Sequence, residues 1–172
     1  MFRELNRREK TKLNSLFSYW NVFDYFRDKE FLIRDKEVFM INDYKEFILK
    51  NNPLAAGIKV CDLRKHAHLS LTILQLFVDI GCSKRIRIND HAEQLFLYGR
   101  DIFGSSIIEH TNDFKANDEV IITNKYDDAL GLGRARYNPD NIMEDKVTVT
   151  NIKDLGIYLR EEIDEFSYKI NI

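Results

Sequence analysis

The chain has 172 residues, of which 44% are hydrophobic and 31% are charged. This length allows one medium domain or two small ones and excludes a large multidomain enzyme. The formal net charge of −2 shows no global basic excess of the kind that indicates a nucleic-acid partner.

The first forty residues predict a helix followed by a hairpin. The helix is expected to have one apolar face with the spacing i, i+3, i+4 and i+7, formed by Leu13, Leu16, Phe17 and Trp20. Two β-rich runs, 31–33 and 38–41, flank a short polar link, which is an order typical of a β-hairpin.

Residues 43–78 predict one short helix and two more strands. Asp43 and Glu46 have the spacing of a capping box, so a helix is expected over residues 44–50. The apolar runs 57–61 and 69–78 are interpreted as strands. No connection is long enough for several βαβ crossovers, and the first half is therefore expected to be mixed α/β with an antiparallel sheet.

A domain boundary is expected at Gly81-Cys82-Ser83, between a long apolar stretch and a new alternating one. We assign residues 1–83 to an N-terminal α/β domain and residues 84–172 to a second domain. The first carries 14 Lys/Arg against 11 Asp/Glu, and the second carries 12 against 17, so their net charges are +3 and −5. The two domains therefore present different surfaces.

The second half opens with a strand and a short helix. Residues 85–88 alternate in polarity, which places Arg85 and Arg87 on one face of the strand. Asp90 and Glu93 predict another capping box, and Gly99 stands where a left-handed helix cap is expected. The helix, residues 91–98, is expected to bury Ala92, Leu95 and Phe96.

The remaining residues predict short strands and a terminal helix. Strands are expected at residues 107–108, 120–122, 130–135 and 147–149. Helical spacing near the end is shown by Ile152, Leu155, Leu159, Ile163 and Phe166. One short helix among about five short strands is typical of a small β-barrel. The whole chain is thus expected to be α+β.

Three segments of the second half resemble a PUA domain, the small RNA-binding barrel of pseudouridine synthases and archaeosine transglycosylases. Residues 88–103 resemble its opening, residues 114–120 its turn, and residues 130–135 its glycine-rich strand. Within that superfamily, Ala-Glu-Gln-Leu-Phe-Leu-Tyr-Gly at 92–99 and Asp-Leu-Gly-Ile-Tyr-Leu-Arg at 154–160 are similar to the NIP-seven type of large-ribosomal-subunit biogenesis factor, in its archaeal form.

The resemblance is weaker in the first half, where it is carried by His68-Leu-Ser-Leu-Thr72 and the order of elements. Two positions depart from the family pattern. Asn117 replaces a turn glycine, a change that Asn tolerates because it enters the left-handed region more readily than most residues. Ile157 stands where an acidic residue is common.

The resemblance implies a non-enzymatic RNA-binding factor in ribosome biogenesis, acting in large-subunit pre-rRNA processing or assembly. The implied partners are pre-rRNA, with uridine-rich single strands among the candidate targets, and ribosome assembly or RNA-processing proteins. It implies no cofactor.

Basic side chains on the barrel strands are the candidate RNA contacts, because phosphate binding needs local rather than global charge. The chief candidates are Arg134, Arg136 and Arg100. Supporting contacts are expected from Lys146, Lys84, Arg85 and Arg87. The alternative is that alternating arginines mark only the solvent face of a strand. Base stacking is expected from Tyr98, Tyr126 and Tyr137.

Other chemistries find little support in the sequence. The Gly131-Leu-Gly133 motif lacks the third glycine and the following helix of a dinucleotide site. His66 and His68 supply only two of the four ligands that a zinc ion needs. Adjacent carboxylate pairs are typical of solvated turns. We therefore predict no catalytic residues and no metal site.

No apolar run approaches the roughly 20 residues of a membrane span, so we expect no membrane partner. The N-terminal residues lack the apolar stretch of a secretory signal. We therefore expect a cytoplasmic protein whose cysteines, Cys61 and Cys82, are reduced thiols.

One alternative function stays open. The protein is then an adaptor that recruits processing factors without contacting RNA, and its acidic second half favours this. Phe23, Tyr25 and Phe26 are either core residues or an apolar docking surface. The basic cluster from Lys59 to His66 either extends an RNA surface or is an ordinary solvated loop.

Overall fold

The computed structural model of the chain describes residues 1–160. The chain divides into two units, Met1–Cys82 and Ser83–Ile172, which we call the first unit and the second unit.

The first unit contains a five-stranded sheet and four helices. Its elements are β1 (Phe2–Glu4), α1 (Arg7–Tyr19), α2 (Phe23–Phe26), β2 (Glu30–Arg34), β3 (Glu37–Ile41), α3 (Lys45–Asn51), β4 (Ile58–Leu63), β5 (Ala67–Leu69) and α4 (Leu74–Asp79). The strands lie in the order β1-β2-β3-β4-β5, and every neighbouring pair is antiparallel. The predicted antiparallel sheet and hairpin are therefore confirmed.

Helix α1 forms where its apolar face was predicted. A capping box starts it, because the Asn6 side chain accepts from the backbone N–H of Glu9 at 3.0 Å while the Glu9 carboxylate accepts from the N–H of Asn6 at 2.9 Å. The helix buries Leu13, Leu16 and Phe17, and Trp20 is fully buried just after its end. Capping and burial together stabilise this helix.

Both faces of the first sheet are covered by apolar side chains. One face is packed against Ile48 of α3 and is formed by Phe2, Leu32, Phe39 and Ile41. The opposite face carries Phe31, whose ring lies 5.6 Å from that of Phe17 in α1. Phe17 also stacks on Phe26, with 4.3 Å between ring centroids. Phe26 is thus a core residue, while Tyr25 is exposed.

The strand predicted over residues 69–78 is wrong. Only the end of β5 lies there, and it is followed by a 3₁₀ turn, Leu71–Ile73, and by α4. The Ser70 side chain accepts from the N–H of Thr72 and starts this helical stretch. A short apolar run has no periodicity that separates a buried strand from a buried helix, and here the fully buried Leu74 and Phe77 lie three residues apart on one helix face.

The capping box predicted for α3 is also wrong. The helix begins at Lys45, and the residue at its cap position is Tyr44, in the left-handed region at φ +65° with no side-chain capping bond. Asp43 lies one residue too early to cap the helix. The spacing of the two acidic residues was right for a capping box, but the backbone turn placed the helix start after it.

Within residues 83–160, the second unit contains a six-stranded, barrel-like sheet and the helix α5. Its elements are β6 (Arg85–Ile88), α5 (Asp90–Leu97), β7 (Ile102–Phe103), β8 (Ile107–His110), β9 (Glu119–Thr123), β10 (Ala129–Ala135) and β11 (Val147–Asp154). The strand order is β7-β11-β10-β9-β6-β8, and β6 and β9 run parallel. The predicted strands and small barrel are confirmed.

The barrel encloses an apolar core. Its largest members are Ile86 and Ile88 of β6, Phe96 of α5, and Phe114, all of them almost completely buried. Ile86 and Ile88 alternate with the two arginines of the strand, so the period-2 pattern correctly separated core from surface.

Helix α5 starts one residue earlier than predicted. Its cap is Asn89, whose side chain accepts from the N–H of Ala92 at 2.9 Å, and Asp90 is already helical. Leu95, expected in the core, is 41% exposed. Gly99 has φ +82° and ends the helix as predicted.

The terminal helix is confirmed only at its start. Ile152 lies in β11, so the helical spacing counted from it was wrong, whereas residues 157–160 are helical. Ile163 and Phe166 lie outside the described residues. Gly156 separates the two elements, and a Cβ there would be 1.9 Å from the carbonyl oxygen of Leu97.

The glycines of β10 allow a close approach of strands. A Cβ on Gly131 would lie 2.3 Å from the carbonyl oxygen of Lys153, and one on Gly133 would lie 2.2 Å from Val149. The motif that resembles a phosphate loop is therefore a strand packed tightly against β11. Asn117 has φ +74°, which agrees with its expected replacement of a turn glycine.

Candidate nucleic-acid interface

Two of the predicted RNA contacts lie together at the end of β10. Arg134 is paired in register with Thr150 of β11. Arg136 follows the strand, and its Nε donates to the Oγ1 of Thr150 at 2.8 Å. Both arginine side chains are about half exposed, at 50% and 47%. The strand pairing thus presents two guanidinium groups to solvent on one face.

Asp101 connects the third arginine to this pair. One Asp101 oxygen accepts from Arg136 at 3.0 Å, and the other accepts from the backbone N–H of Asn151 at 2.9 Å. Arg100, the preceding residue, is exposed and forms no ion pair with residues 1–160. We call Arg100, Arg134 and Arg136 the arginine cluster.

The arginine cluster carries a small net positive charge. Arg134 lies 3.6 Å from Glu119, and Arg136 lies 3.0 Å from Asp101, so two carboxylates oppose three guanidinium groups. Exposed ion pairs contribute only about 0–1 kcal/mol, because water screens them and the side chains lose entropy. A phosphate can therefore replace these carboxylates at little cost.

Lys146 lies away from the arginine cluster. It precedes β11, and its backbone carbonyl accepts from the N–H of Gly104 at 2.9 Å. Four residues of extended strand separate it from Thr150, which is about 13 Å at roughly 3.3 Å per residue. Its ammonium group lies 3.5 Å from Asp145 and is about half exposed. Lys146 thus lies just before the strand that carries Thr150, and it shares no contact with the arginine cluster among residues 1–160.

The arginines of β6 are held by carboxylates of the barrel. Arg87 donates to both oxygens of Asp127, at 2.7 and 2.8 Å from one nitrogen, and also to Glu109. The hydrogen bonds to Asp127, together with its negative charge, raise the pKa of Arg87. Arg85 lies 3.9 Å from Asp127, and its buried Nε has no hydrogen-bond partner among residues 1–160.

Lys84 is held within the barrel by its hydrogen-bond partners. Its Nζ donates to the carbonyl oxygen of Asp113 at 2.7 Å and lies 3.2 Å from Asp118. The side chain is only 13% exposed, and its backbone has φ +61°. Lys84, Arg85 and Arg87 therefore support the barrel directly. Sequence reasoning missed their partners because Asp127 lies about 40 residues from Arg87.

Two of the three candidate stacking residues are open to solvent. Tyr98 and Tyr126 are largely exposed, whereas Tyr137 is partly buried. Tyr98 lies two residues before Arg100, at the left-handed turn after α5. The ammonium group of Lys125 lies 5.0 Å from the Tyr126 ring centroid. An exposed aromatic ring beside a cation suits an unpaired base and its phosphate.

The segment 154–160 forms a clasp that sequence reasoning treated only as a family signature. Asp154 is 2% exposed, and Arg160 donates to its two oxygens at 3.0 and 3.1 Å. Arg160 also donates to the carbonyl oxygen of Leu97, at the end of α5. The hydrogen bonds to Asp154 raise the pKa of Arg160. The clasp thus ties the helix next to Tyr98 and Arg100 to β11.

No group of three or more metal-binding side chains occurs within residues 1–160. The strand register pairs Cys61 with Leu69 and Asp62 with His68. Both cysteines are buried thiols that form no disulfide, and burial raises the pKa of Cys61 to about 12. Lys59, in the basic cluster of the first unit, is paired with Glu37 and Asp62 at 2.6 and 2.9 Å.

No helix in the described part of the chain is long and apolar enough to cross a membrane.

Comparison with protein families gives a match to the second unit. The sequence model of the UPF0113 PUA domain matches residues 84–163. A UPF0113 protein from Archaeoglobus fulgidus is 33% identical over 97% of this chain and 99% of its own length. A tRNA-guanine(15) transglycosylase from Methanothermobacter thermautotrophicus is 33% identical over 60 residues, which cover only 9% of that protein.

Solved structures share the fold of most of the chain. A hypothetical protein from Pyrococcus horikoshii has a TM-score of 0.66 at 15% identity and covers 90% of this chain and 94% of its own. A conserved PUA domain protein from Thermoplasma acidophilum has a TM-score of 0.65 at 11% identity and covers 94% and 99%. At these identities the likeness concerns the fold alone.

Proposed function

The chain belongs to the UPF0113 family, and from this premise we propose that its second unit, a PUA domain, binds RNA. The wider role that we propose is that of a non-enzymatic factor in assembly of the large ribosomal subunit, similar to the NIP-seven type. The single observation that carries RNA binding is the arginine cluster, in which Arg134 and Arg136 present two guanidinium groups on one face at the end of β10, and the exposed Arg100 precedes Asp101, the partner of Arg136.

Arginine suits this task because its planar fork matches phosphate oxygens with two parallel hydrogen bonds. Arg100 is open to a ligand, while Arg134 and Arg136 exchange exposed carboxylates for phosphate. Lys146 adds a contact farther along the RNA backbone, and Lys84, Arg85 and Arg87 support the barrel face. Phosphate contacts position the protein without reading sequence, so specificity comes from RNA shape and stacking.

RNA binding is tested by titrating a short, uridine-rich single strand over a series of salt concentrations. The wild type is compared with the double variant Arg134→Ala/Arg136→Ala. Each phosphate contact contributes about 0.7 to the slope of log affinity against log salt for single strands, so the slope should fall by about 1.4.

The matched control is Arg7→Ala/Arg8→Ala, which removes the same charge from exposed positions at the start of α1. It should leave the slope unchanged. Absence of wild-type binding at low salt would contradict RNA binding by this protein. Equal losses in both double variants would show that only overall charge matters.

The role in ribosome assembly is tested in cells. Deletion of the gene should reduce the ratio of large to small subunits in sedimentation profiles, and the wild-type protein should restore it. The Arg134→Ala/Arg136→Ala variant should restore it poorly if RNA contact by the arginine cluster is needed. An unchanged profile after deletion would contradict the role in assembly and leave RNA binding standing.

An adaptor function is the second candidate, and one observation favours it. The first unit has an apolar cleft of about 610 Å³ beside α3, near the exposed rings of Tyr44 and Phe47. An apolar cleft with exposed aromatic rings at its edge is suited to an apolar side chain of a partner protein. If the protein is an adaptor, Phe47→Ser should abolish assembly function while RNA affinity stays at the wild-type value.

A further inference from the structure

We propose that a cleft in the first unit holds one unpaired nucleotide of the bound RNA. This inference rests on the proposed function but adds a second contact site, outside the PUA domain. The cleft has a volume of about 330 Å³ and lies among α1, the turn from α2 to β2, and the start of α3. Its volume is at the lower end of the 300–1,000 Å³ that is usual for ligand pockets.

Four basic side chains from separate elements converge on this cleft. Lys10 comes from α1, Arg27 and Lys29 from the turn before β2, and Lys45 from the start of α3. A solvated helix face would place its charges on one element at helical spacing. Basic residues contributed by three elements instead line a concave site, where their charges add to one local positive potential.

Two acidic residues also line the cleft, and both of them are paired with the same lysine. Lys45 lies 2.8 Å from Glu4 and 3.6 Å from Glu30. Lys10 and Lys29 form no ion pair with residues 1–160. Two ammonium groups are therefore available at the rim, and the cleft has more positive than negative charge.

Arg27 is held at the rim by its neighbours. It forms an ion pair with Asp24, and its guanidinium carbon lies 5.6 Å from the Phe23 ring centroid. Lys29 has a similar contact, with its Nζ 5.2 Å from the centroid of Tyr25. These contacts restrict the two cations, so that less side-chain entropy is lost when an anion binds.

The wall of the cleft exposes more polar than apolar surface, and its apolar part includes aromatic side chains. Leu5, Leu13 and Phe26 are buried in it, whereas Phe31 is only partly buried. Phe31 is held between the rings of Phe17 at 5.6 Å and Phe26 at 6.3 Å. The accessible part of a ring fixed in this way is a stacking platform for a base, and the side-chain amide of Asn14 offers both a donor and an acceptor to the base edge.

This combination favours a nucleotide over an acidic peptide. A peptide needs an extended groove or a strand edge for its backbone hydrogen bonds. The cleft instead joins an aromatic wall to a few cations within the volume of one small ligand. The base stacks against the aromatic part of the wall, and its phosphate binds Lys10 and Lys29 at the rim.

The first experiment is an NMR titration of the wild-type protein with three probes: uridine 5′-monophosphate, uridine, and inorganic phosphate. The monophosphate should shift amide signals of residues around Lys29 and Phe31 at lower concentration than either other probe. Equal shifts with phosphate alone would overturn the base-stacking part of the proposal. A polyglutamate peptide that competes as well as the nucleotide would assign the cleft to an acidic protein segment instead.

The second experiment measures RNA affinity of Lys10→Glu/Lys29→Glu. Affinity should fall by about tenfold or more, and the salt slope should fall by about 0.7, because the two lysines bind the one phosphate of this nucleotide. The matched control is Lys36→Glu/Lys50→Glu, which reverses two exposed lysines of the same unit that do not line the cleft. Both variants change exposed side chains, and an unchanged amide spectrum confirms that each is folded.

The outcomes separate this inference from the proposed function. If the wild type binds RNA, Arg134→Ala/Arg136→Ala weakens binding and the cleft variant does not, the nucleotide site is wrong and the PUA interface stands. If the wild type binds no RNA, the proposed function is wrong, and the nucleotide site, which rests on it, is wrong as well. Phe31→Leu gives a further check, because it should weaken nucleotide binding and leave the response to inorganic phosphate unchanged.

Discussion

The two units of this chain use their charged residues differently. In the second unit, Arg87 and Lys84 are anchored by carboxylates that lie far away in the sequence. In the first unit, Lys10 and Lys29 reach a cleft without an ion pair among the described residues. Alternating arginines on a strand therefore do not by themselves mark a free binding face, and cations without an ion pair among the described residues occur in the unit with the weaker family resemblance as well.

The units also differ in how their sheets are assembled. The first sheet pairs strands in their sequence order, and its core is rich in rings such as Phe17, Phe26 and Phe77. The second sheet pairs β6 with both β8 and β9 and inserts β10 and β11 between β9 and β7. Salt screens ion pairs. The ion pairs that hold the arginines of β6 in the second unit should therefore weaken as sodium chloride is added.

The largest effect is expected from the aromatic core of the first unit. Phe77 is fully buried, and its ring lies 5.4 Å from that of Phe26. Phe77→Ala should lower the free energy of unfolding of this unit by about 3–5 kcal/mol, because it removes apolar burial and leaves a cavity. Native-state hydrogen exchange should show faster exchange in β2 to β4. The milder Phe77→Leu is the control, and a loss that depends strongly on salt would contradict the apolar explanation.

The next effect is expected from the clasp in the second unit. Arg160→Met leaves the buried carboxylate of Asp154 without its cation. The free energy of unfolding of the second unit should fall, by less than for a fully buried pair because Arg160 is partly exposed. Exchange of the α5 and β11 amides reports the change.

The double variant Asp154→Asn/Arg160→Met provides the check on the clasp. It removes both charges, so it should recover part of the lost stability. No recovery would show that Arg160 acts through packing or through its bond to Leu97 rather than through the charge of Asp154.

A smaller effect is expected at Asp127, where one substitution should lower stability and raise RNA affinity. Asp127→Asn removes the carboxylate that holds Arg87, which should cost about 1 kcal/mol of stability. Because Arg87 and Arg85 then lack this anion, RNA affinity at low salt should rise. If affinity is unchanged, the β6 arginines do not face the RNA, and the interface is restricted to the arginine cluster. Glu144→Gln, an exposed carboxylate in another loop, is the control.

The smallest effect is a pH dependence at Asp113. Burial alone would raise the pKa of this carboxyl, but hydrogen bonds from Thr111 and the backbone N–H of Lys84 outweigh it and lower the pKa below the usual 3.8. A lowered folded pKa stabilises the unit above pH 3.8, and this stabilisation is lost as the pH falls through the folded pKa. Asp113→Asn should reduce the change of the unfolding midpoint with pH below pH 4. The same curve for Asp140→Asn, an exposed carboxylate, should keep the wild-type shape.

Elements with clear local patterns could be predicted from the sequence alone. The sequence correctly predicts the apolar face of α1, the alternation of β6 and the glycine cap after α5, since each depends on neighbouring residues only. The strand predicted over residues 69–78 is wrong because an apolar stretch of that length suits a strand or a helix equally well. Both capping boxes built on acidic pairs were misplaced, since a one-residue change in the backbone turn moves the helix start.

The sequence by itself determined the α+β class, the positions of most strands, and the set of basic residues from which the RNA contacts were chosen. Only the tertiary structure decided which of those residues are available. Arg87 meets Asp127 across about 40 residues, and Arg136 meets Asp101 across 35. Such pairings follow from strand order and register, which depend on the packing of the whole sheet. The cleft around Lys10 and Phe31 could not be predicted from the sequence, because the residues that line it come from separate elements.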